Sequence, residues 1–151
     1  MKLIIGGYAQ GKLRHALEQL DSKEWIVLDG KALDGEILDR ETADRAAMDG
    51  EAADGRCTEK VSAGKKVVFN HFHSWVRERI AKGGYPEEEI AEYLAKHPDC
   101  IIISDEIGNG IVPMDAFERE YRERTGRILV ELAGRAEEVV RVICGIGQKI
   151  K

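Results

Sequence analysis

Short apolar runs alternate along the chain with stretches whose apolar residues recur at helical spacing. Continuous apolar runs of this length are typical of buried parallel strands. The runs occupy residues 3–5, 25–28, 66–70, 100–104 and 139–144. The helical spacing predicts helices over 12–20, 74–81, 86–96 and 114–135. Strands and helices in alternation predict an α/β fold, in which helices flank a mostly parallel central sheet.

The first apolar run leads into a glycine-rich turn. Its residues Gly6, Gly11 and Lys12 fit the Gly-x-x-x-x-Gly-Lys pattern of a phosphate-binding loop. Glycines there let backbone N–H groups converge on phosphate, and the lysine reaches the outer phosphates. The pattern calls for Ser or Thr next, as a Mg²⁺ ligand, but the residue is Leu13. The alternative is a glycine turn that only joins a strand to a helix.

We therefore predict that this loop binds the phosphates of a nucleotide, ATP or GTP, with degenerate ligands for Mg²⁺. The predicted nucleotide-binding residues are Gly6, Gly7, Tyr8, Ala9, Gln10, Gly11, Lys12 and Leu13.

A phosphate-loop enzyme also needs an acidic residue at the end of a neighbouring strand to hold Mg²⁺. The residue that ends the run 66–70 is the neutral Asn70, and His71 and His73 follow it. If the strand continued, its alternation would place both histidines on one face. Two interpretations are possible: the histidines bind a metal ion as a pair, or they are ordinary surface or hydrogen-bonded residues.

Two adjacent carboxylates, Asp105 and Glu106, follow the buried run 100–104. The carboxyl edge of a parallel sheet is where α/β proteins bind ligands. Either residue could hold Mg²⁺ or accept a proton from a substrate hydroxyl, which makes both candidate catalytic residues with Lys12. Asp105 is also the candidate metal ligand. The alternative is that Asp105 only caps the following turn.

The segment 29–65 has a different composition from the rest of the chain. Between Asp29 and Glu59 there are ten acidic and four basic residues, with four Asp-Gly pairs of the kind that mark turns. A calcium loop is conceivable, but its D-x-[DN]-x-[DN]-G pattern is missing. We predict a solvated acidic segment with one short helix near 36–48, inside a single domain that spans 1–151.

Charge and cysteine content narrow the class of protein. A net charge of −5 argues against a general nucleic-acid-binding surface. The longest apolar runs are far shorter than the roughly 20 residues of a membrane span. Cys57, Cys100 and Cys144 form no Cys-x-x-Cys motif, and the N-terminal residues show no secretory pattern. These features predict a cytoplasmic protein with free thiols.

Four segments of the sequence are similar to those of a known protein family: GGYAQGKLRHA, SDEIGNGIVP, YRERTGRILVELA and CGIGQKIK. Together they resemble the bifunctional adenosylcobinamide kinase / adenosylcobinamide-phosphate guanylyltransferase family of cobalamin biosynthesis, over residues 1–28 and 66–151. The resemblance implies a RecA-like P-loop NTPase fold and assembly into homo-oligomers. In a RecA-like strand order, the strand ending at Ser104 lies between the phosphate-loop strand and the one ending at Asn70, which should bring Asp105 close to Lys12. It also implies phosphorylation of the aminopropanol hydroxyl of a corrinoid, cobinamide, followed by GMP transfer from GTP through a guanylylated histidine.

The resemblance also assigns residues to parts of the site. The phosphate loop is matched by Gly6, Gly7, Gly11 and Lys12, and its first helical turn by Arg14 and His15. The loop after the fourth strand is matched by Glu106, Gly108, Gly110 and Pro113. The long helix is matched by Arg122, Gly126 and Arg127.

The chain departs from the family pattern at several positions that bear on activity. Leu13, Asn70 and Leu129 replace polar or acidic residues, and Asp105 stands where the family usually has Asn. No histidine occurs between His15 and His71, so the family's guanylylated histidine has no counterpart. Two functions remain: a kinase that has lost the guanylyltransferase step, or a catalytically inactive module that binds a nucleotide or a corrinoid as a sensor or partner.

Overall fold

The computed structural model describes residues 1–20, 24–33, 42–43, 59–60 and 66–151. Eight strands occur within these ranges: β1 (Lys2–Gly6), β2 (Trp25–Asp29), β3 (Thr42–Ala43), β4 (Glu59–Lys60), β5 (Lys66–Asn70), β6 (Ile101–Asp105), β7 (Glu138–Ile143) and β8 (Ile146–Lys149). Six of them form one sheet in the order β2-β5-β6-β1-β7-β8, and β3 pairs with β4 separately. All pairings in the main sheet are parallel except that of β7 with β8.

Helices cover both faces of this sheet. The described helices are α1 (Lys12–Leu17), α2 (Phe72–Ala81), α3 (Pro86–Lys96) and α4 (Ala116–Arg135). Since alternate residues of a strand point to opposite faces, neighbours such as Val68 and Phe69 belong to different apolar clusters. The cluster with Val68 includes Ala16 of α1, whereas the cluster with Phe69 is covered by α2, α3 and α4. The predicted α/β fold of the P-loop type, with a mostly parallel sheet flanked by helices, is confirmed.

An aromatic cluster anchors α2 to the sheet. The ring of Phe69 lies 5.5 Å from that of Phe72 and 5.8 Å from that of Trp75, both edge-on. All three side chains are fully buried. Aromatic burial of this kind contributes both apolar area and favourable ring geometry. The start of α2, which follows directly after β5, is therefore fixed against the sheet.

Several boundaries differ from those predicted. Helix α1 ends at Leu17 rather than residue 20, α2 begins two residues before 74, and α4 begins two residues after 114. The α4 boundary has a clear cause: the Asp115 side chain caps the helix by accepting the Glu118 N–H at 3.0 Å. An Asp cap is a recognisable signal that the helical periodicity alone does not contain.

Strand β8 was not predicted. It is joined to β7 by a tight turn in which Cys144 and Gly145 both have positive φ, 51° and 80°. Two consecutive residues of positive φ match the twist of a hairpin, and Asn-Gly or Asp-Gly is the usual sequence for such a turn. Cys-Gly is an unusual pair for such a turn, and the hairpin was therefore not predicted from the sequence.

The acidic segment is described only at residues 29–33, 42–43 and 59–60. Thr42 and Ala43 form a strand, so the helix predicted near 36–48 is wrong at these two residues. The rest of that helix and the conceivable calcium loop lie outside the described residues, as does Cys57. The boundaries of the single domain remain a prediction.

Two further observations bear on the predicted protein class. Within the described part of the chain, no helix combines the length and apolar character that a membrane crossing requires. Cys100 is buried and Cys144 is exposed, and both are free thiols. Burial raises the pKa of the Cys100 thiol to about 12, so this residue stays protonated and unreactive at neutral pH.

Candidate functional site

The loop between β1 and α1 has the backbone geometry of a tight anion-binding turn. Ala9 and Gly11 have positive φ, 55° and 78°. Gly11 precedes the first residue of α1, and no side chain caps that helix. Gly6 is required by close packing, because a Cβ atom there would lie 2.4 Å from the Val142 carbonyl oxygen. Strand, glycine loop and helix thus follow one another in the form that phosphate binding needs.

The hairpin turn between β7 and β8 holds this loop from the side. The main-chain carbonyl of Gln10 accepts the Gly145 N–H at 2.9 Å, and the side-chain Oε1 of Gln10 accepts the Cys144 N–H at 2.6 Å. A Cβ on Gly11 would lie 3.5 Å from the Gly145 Cα, which shows how close the two turns are. This support was missed from the sequence because β8 itself was missed.

Lys12 folds back into the loop and pairs with Asp105. Its Nζ donates to the Gly7 carbonyl at 2.6 Å and lies 2.5 Å from Asp105 Oδ1. The two side chains are only 8% and 13% exposed. The contact follows from the sheet: β6 lies between β1 and β5, with Asp105 in register with Gly6. The predicted strand order, with β6 beside the phosphate-loop strand, is confirmed.

His73 lies on the other side of the Asp105 carboxylate. The Asp105 N–H donates to His73 Nδ1 at 3.1 Å, and His73 Nε2 lies 3.6 Å from Asp105 Oδ2. Burial lowers the pKa of His73, although the Asp105 charge opposes that shift. The ring is therefore neutral, with Nδ1 as acceptor and the proton on Nε2. The Asp105 oxygens face Lys12 and His73, so the turn-capping alternative for Asp105 is wrong.

The expected arrangement of His71 and His73 on one strand face is also wrong. Strand β5 ends at Asn70, and His71 takes a left-handed conformation, with φ 50°, that turns the chain into α2. His71 Nδ1 lies 2.8 Å from Asp29 Oδ1 and 3.0 Å from the Asn70 side-chain amide. Burial alone would raise the pKa of Asp29, but the hydrogen bonds from His71 and the Lys31 N–H outweigh it and leave that pKa below its ordinary value.

A cleft of about 270 Å³ lies at the carboxyl ends of β1, β5 and β6. The cleft is lined by Tyr8, Ala9, Gln10, Gly11, Lys12, Leu13, Arg14, Lys31, Asn70, His71, Ile103 and Asp105. Six of the predicted loop residues and Asp105 therefore share one cavity. Lys31 was not predicted as a site residue, since its approach depends on the pairing of β2 with β5. His71 was considered only as one of a possible metal-binding pair with His73.

The other predicted acid, Glu106, is held outside this cleft. Its N–H donates to the Gly6 carbonyl at 2.9 Å, and its Oε2 lies 2.9 Å from Arg141 Nη2 of β7. Glu106 is thus fixed behind the phosphate loop and paired with a cation. A proton acceptor must lie within reach of the substrate, and this carboxylate does not line the cleft.

The loop 106–115 and helix α4 carry the remaining predicted residues. Gly108 and Gly110 are exposed, and Pro113 is half-buried. Arg122 Nη1 donates to the Ile111 carbonyl at 2.7 Å, which ties the loop to the helix. Arg127 pairs with Glu123 on the exposed side of the helix. None of these residues lines the cleft at the phosphate loop.

The residues at the cleft can hold Mg²⁺ only in a limited way. Among the described residues, no three His, Cys, Asp or Glu side chains converge as a metal site. Leu13 supplies no oxygen, and its side chain packs against the apolar cluster under α1. Asp105 is a cleft carboxylate, and Mg²⁺ in nucleotide enzymes is often held by one or two carboxylates with phosphate and water. Asp105 fits that role.

The lowered pKa of His73 makes stability depend on pH. Between the ordinary histidine value of about 6.5 and the lower folded value, the unfolded chain binds more protons than the folded one. The unfolding free energy should therefore fall as pH is lowered from about 7.5 to 5.5, and it should fall less steeply in His73→Gln. Burial also lowers the pKa of His97, so the slope should shrink without vanishing. Urea denaturation at both pH values measures it, and an unchanged slope in the variant would contradict this account.

Comparison with known proteins supports the family resemblance. The family model for cobinamide kinase / cobinamide phosphate guanyltransferase matches residues 55–150. The bifunctional adenosylcobalamin biosynthesis protein CobU of Salmonella typhimurium is 38% identical over 69 residues, 43% of this chain and 38% of that protein. The protein of the same name from Escherichia coli is 43% identical over 67 residues, 42% of this chain and 37% of that protein.

These matches leave part of each protein uncovered. The matched region spans less than two fifths of the length of either relative. The phosphate loop lies outside the residues matched by the family model, so its assignment depends on the loop geometry and on Lys12. The family model nevertheless covers more than half of the chain. The chain therefore belongs to the cobinamide kinase / cobinamide phosphate guanyltransferase family.

Proposed function

We propose that the chain binds ATP or GTP at the phosphate loop and transfers a phosphoryl group to a corrinoid alcohol, as a kinase of the cobinamide kinase type. The observation that carries the proposal is the placement of Lys12 and Asp105 in one cleft, where three parallel strands end. Ligands of α/β proteins bind at this edge of the sheet. The family name supplies the chemistry, and the cleft supplies the groups that could perform it.

Phosphoryl transfer is catalysed chiefly by positioning and by neutralisation of charge. In this proposal the loop N–H groups cradle the phosphates, and Lys12 exchanges its Gly7 and Asp105 contacts for phosphate oxygens. That exchange leaves the Asp105 carboxylate close to the phosphates. Asp105 would then hold Mg²⁺, which offsets phosphate charge when it is bound.

The guanylyltransferase step is proposed to be lost. Transfer of GMP through a histidine needs a nucleophilic imidazole beside the α-phosphate. The chain has four histidines, at positions 15, 71, 73 and 97, and none stands between the second and third predicted strands, where the resemblance requires one. The acidic segment occupies that part of the sequence.

A second function is favoured by two substitutions at the same cleft. Leu13 and Asn70 replace residues that would bind or position Mg²⁺, and both line the cavity. A module that binds a nucleotide or a corrinoid without turnover, as a sensor or partner, is consistent with that loss. The cytoplasmic location and assembly into a homo-oligomer stay predictions under either function.

Titration calorimetry and a turnover assay separate the two functions. ATP and GTP are titrated with and without Mg²⁺, and phosphorylation of adenosylcobinamide is followed with each nucleotide. Binding with turnover supports the kinase, whereas binding without turnover supports the module. Absence of nucleotide binding would exclude both nucleotide-dependent proposals.

Lys12→Ala should weaken nucleotide binding about tenfold or more, because a charge-assisted phosphate contact is worth roughly 1.5–3 kcal/mol. Removal of Mg²⁺ should weaken binding less than this mutation does, since Leu13 offers no metal ligand. Calorimetric dissociation constants measure both effects. Lys96→Ala, at the exposed end of α3, is the matched control. Equal affinity in wild type and Lys12→Ala would remove the phosphate-loop assignment.

Asp105→Asn should reduce the Mg²⁺-dependent part of turnover at least tenfold, because it removes the cleft carboxylate that would hold the ion. Nucleotide binding without metal should be unchanged or slightly tighter, since a negative charge near the phosphates is lost. Asp99→Asn, an exposed residue remote from the loop, controls for loss of charge. Unchanged Mg²⁺ dependence in Asp105→Asn would exclude this metal role.

Incubation with GTP should leave the mass of the protein unchanged, because the histidine that the resemblance requires is absent. Intact-mass spectrometry after incubation with GTP and Mg²⁺ measures this. A stoichiometric GMP adduct would show that another residue has taken over the step, with His71 and His73 the first to be examined.

A further inference from the structure

The cleft needs a group that can accept a proton from the attacking hydroxyl, and its carboxylates are poorly suited to that task. Asp105 is assigned to Mg²⁺ in the proposed function, and Glu106 contacts Arg141 at 2.9 Å and does not line the cleft. His73 accepts a backbone N–H at Nδ1 and carries its proton on Nε2, so neither ring nitrogen has an available lone pair. A general base must have such a lone pair within reach of the substrate.

His71 has the lone pair that these groups lack. Its Nδ1 lies 2.8 Å from Asp29 Oδ1, and the lowered pKa of Asp29 keeps that carboxylate ionised at neutral pH. An ionised carboxylate only accepts hydrogen bonds, so Nδ1 donates to Asp29, and the Asn70 amide, 3.0 Å from the same atom, then faces it with its oxygen rather than its nitrogen. The Nε2 atom then carries the lone pair. It makes no hydrogen bond to any residue that the structure describes, and His71 lines the cleft beside Lys12.

The fold holds the Asp29–His71 pair in place. Strands β2 and β5 run parallel with Asp29 opposite Asn70, and the Gly30 N–H donates to the Asn70 carbonyl at 2.8 Å. A Cβ on Gly30 would lie 2.4 Å from the His71 carbonyl oxygen, so only glycine permits this approach. His71 itself has φ 50°, a conformation that is costly for most residues other than glycine. Strain of this kind is often retained at functional sites.

We propose that His71, oriented by Asp29, is the general base of phosphoryl transfer in this cleft, an inference that rests on the proposed kinase function. The acceptor hydroxyl gives its proton to His71 Nε2 while its oxygen bonds to the γ-phosphorus. The bond from that phosphorus to the bridging oxygen breaks, and its electron pair leaves with the nucleoside diphosphate. Asp29 stabilises the imidazolium formed and acts as a positioning residue, in the manner of a carboxylate behind a catalytic histidine.

The groups that face His71 set the pH dependence of such a step. Asp29 contacts the ring as an anion, and the cleft also contains cations. The charged and titratable groups around the ring are Asp29 and Lys31 at the end of β2, His73 of α2, Lys12 of α1 and Asp105 of β6. Because a general base acts only when deprotonated, turnover should fall on the acid side of its profile.

The test compares His71→Asn, Asp29→Asn and the control His97→Asn. Asn is chosen at position 71 because it tolerates the left-handed backbone better than most residues. His97, at the end of α3, lies outside the cleft. Phosphorylation of adenosylcobinamide by ATP is measured as kcat and KM across the pH range in which each variant stays folded. Calorimetry gives the nucleotide dissociation constants, and urea denaturation confirms folding.

His71→Asn is expected to lower kcat by about 100-fold or more and to remove the acid limb of the profile, with the nucleotide dissociation constant unchanged. Asp29→Asn should lower kcat less and move that limb to lower pH, which a merely structural role would not do. His97→Asn should match the wild type.

Two results would overturn the inference, and they differ in what else they exclude. If His71→Asn keeps kcat within about threefold of wild type, or keeps the acid limb, His71 is not the base and the kinase function still stands. If the wild type binds ATP without phosphorylating adenosylcobinamide, the kinase function fails and the base role fails with it. In that case the nucleotide-binding module remains.

Discussion

The ion pair between Lys12 and Asp105 is the contact on which the candidate site depends. Both charges are largely withdrawn from water, and a buried charge is tolerated only when another charge or several hydrogen bonds compensate it. Removing either partner leaves the other uncompensated. Under the proposed function, phosphate bound to Lys12 would weaken this compensation, because the lysine would then divide its interactions between two anions. Nucleotide binding and the environment of Asp105 would therefore be coupled.

Close backbone approaches make this pairing possible. Gly6 lets β1 end against the Val142 carbonyl of β7, and Gly30 lets β2 end against the His71 carbonyl. At both points a Cβ atom would come within 2.4 Å of an oxygen. Because these strands run parallel, their carboxyl ends lie at one edge of the sheet, and residues from distant parts of the sequence share a small cavity there. The positions of the cleft side chains therefore depend on glycine at residues 6 and 30.

Sequence patterns and the family resemblance predicted much of the fold and the part of the candidate site that contains Lys12 and Asp105. Apolar runs located the five parallel strands, and the RecA-like strand order implied by the family resemblance was enough to place Asp105 beside Lys12. The Asp29–His71 contact could not be predicted in this way, because it joins residues 42 positions apart and depends on a left-handed residue at the end of β5. The apolar run ended at Asn70, as β5 does, but it did not indicate that His71 turns the chain directly into α2. The β7–β8 hairpin was hidden for a similar reason, since its turn is Cys-Gly rather than a familiar pair.

The central claim is that the cleft around Lys12 is where the chain holds a nucleotide. A titration of ¹⁵N-labelled protein with ATP, followed by amide chemical shifts, tests it most directly because every loop N–H reports separately. The account predicts that the largest shifts fall on residues 6–13, on His71 and on Asp105, and that Lys12→Ala diminishes them. The structure also has a second cleft, of about 390 Å³, at the opposite edge of the sheet beside Trp25 and Lys66. Shifts concentrated there, or no shifts at millimolar ATP, would contradict the account.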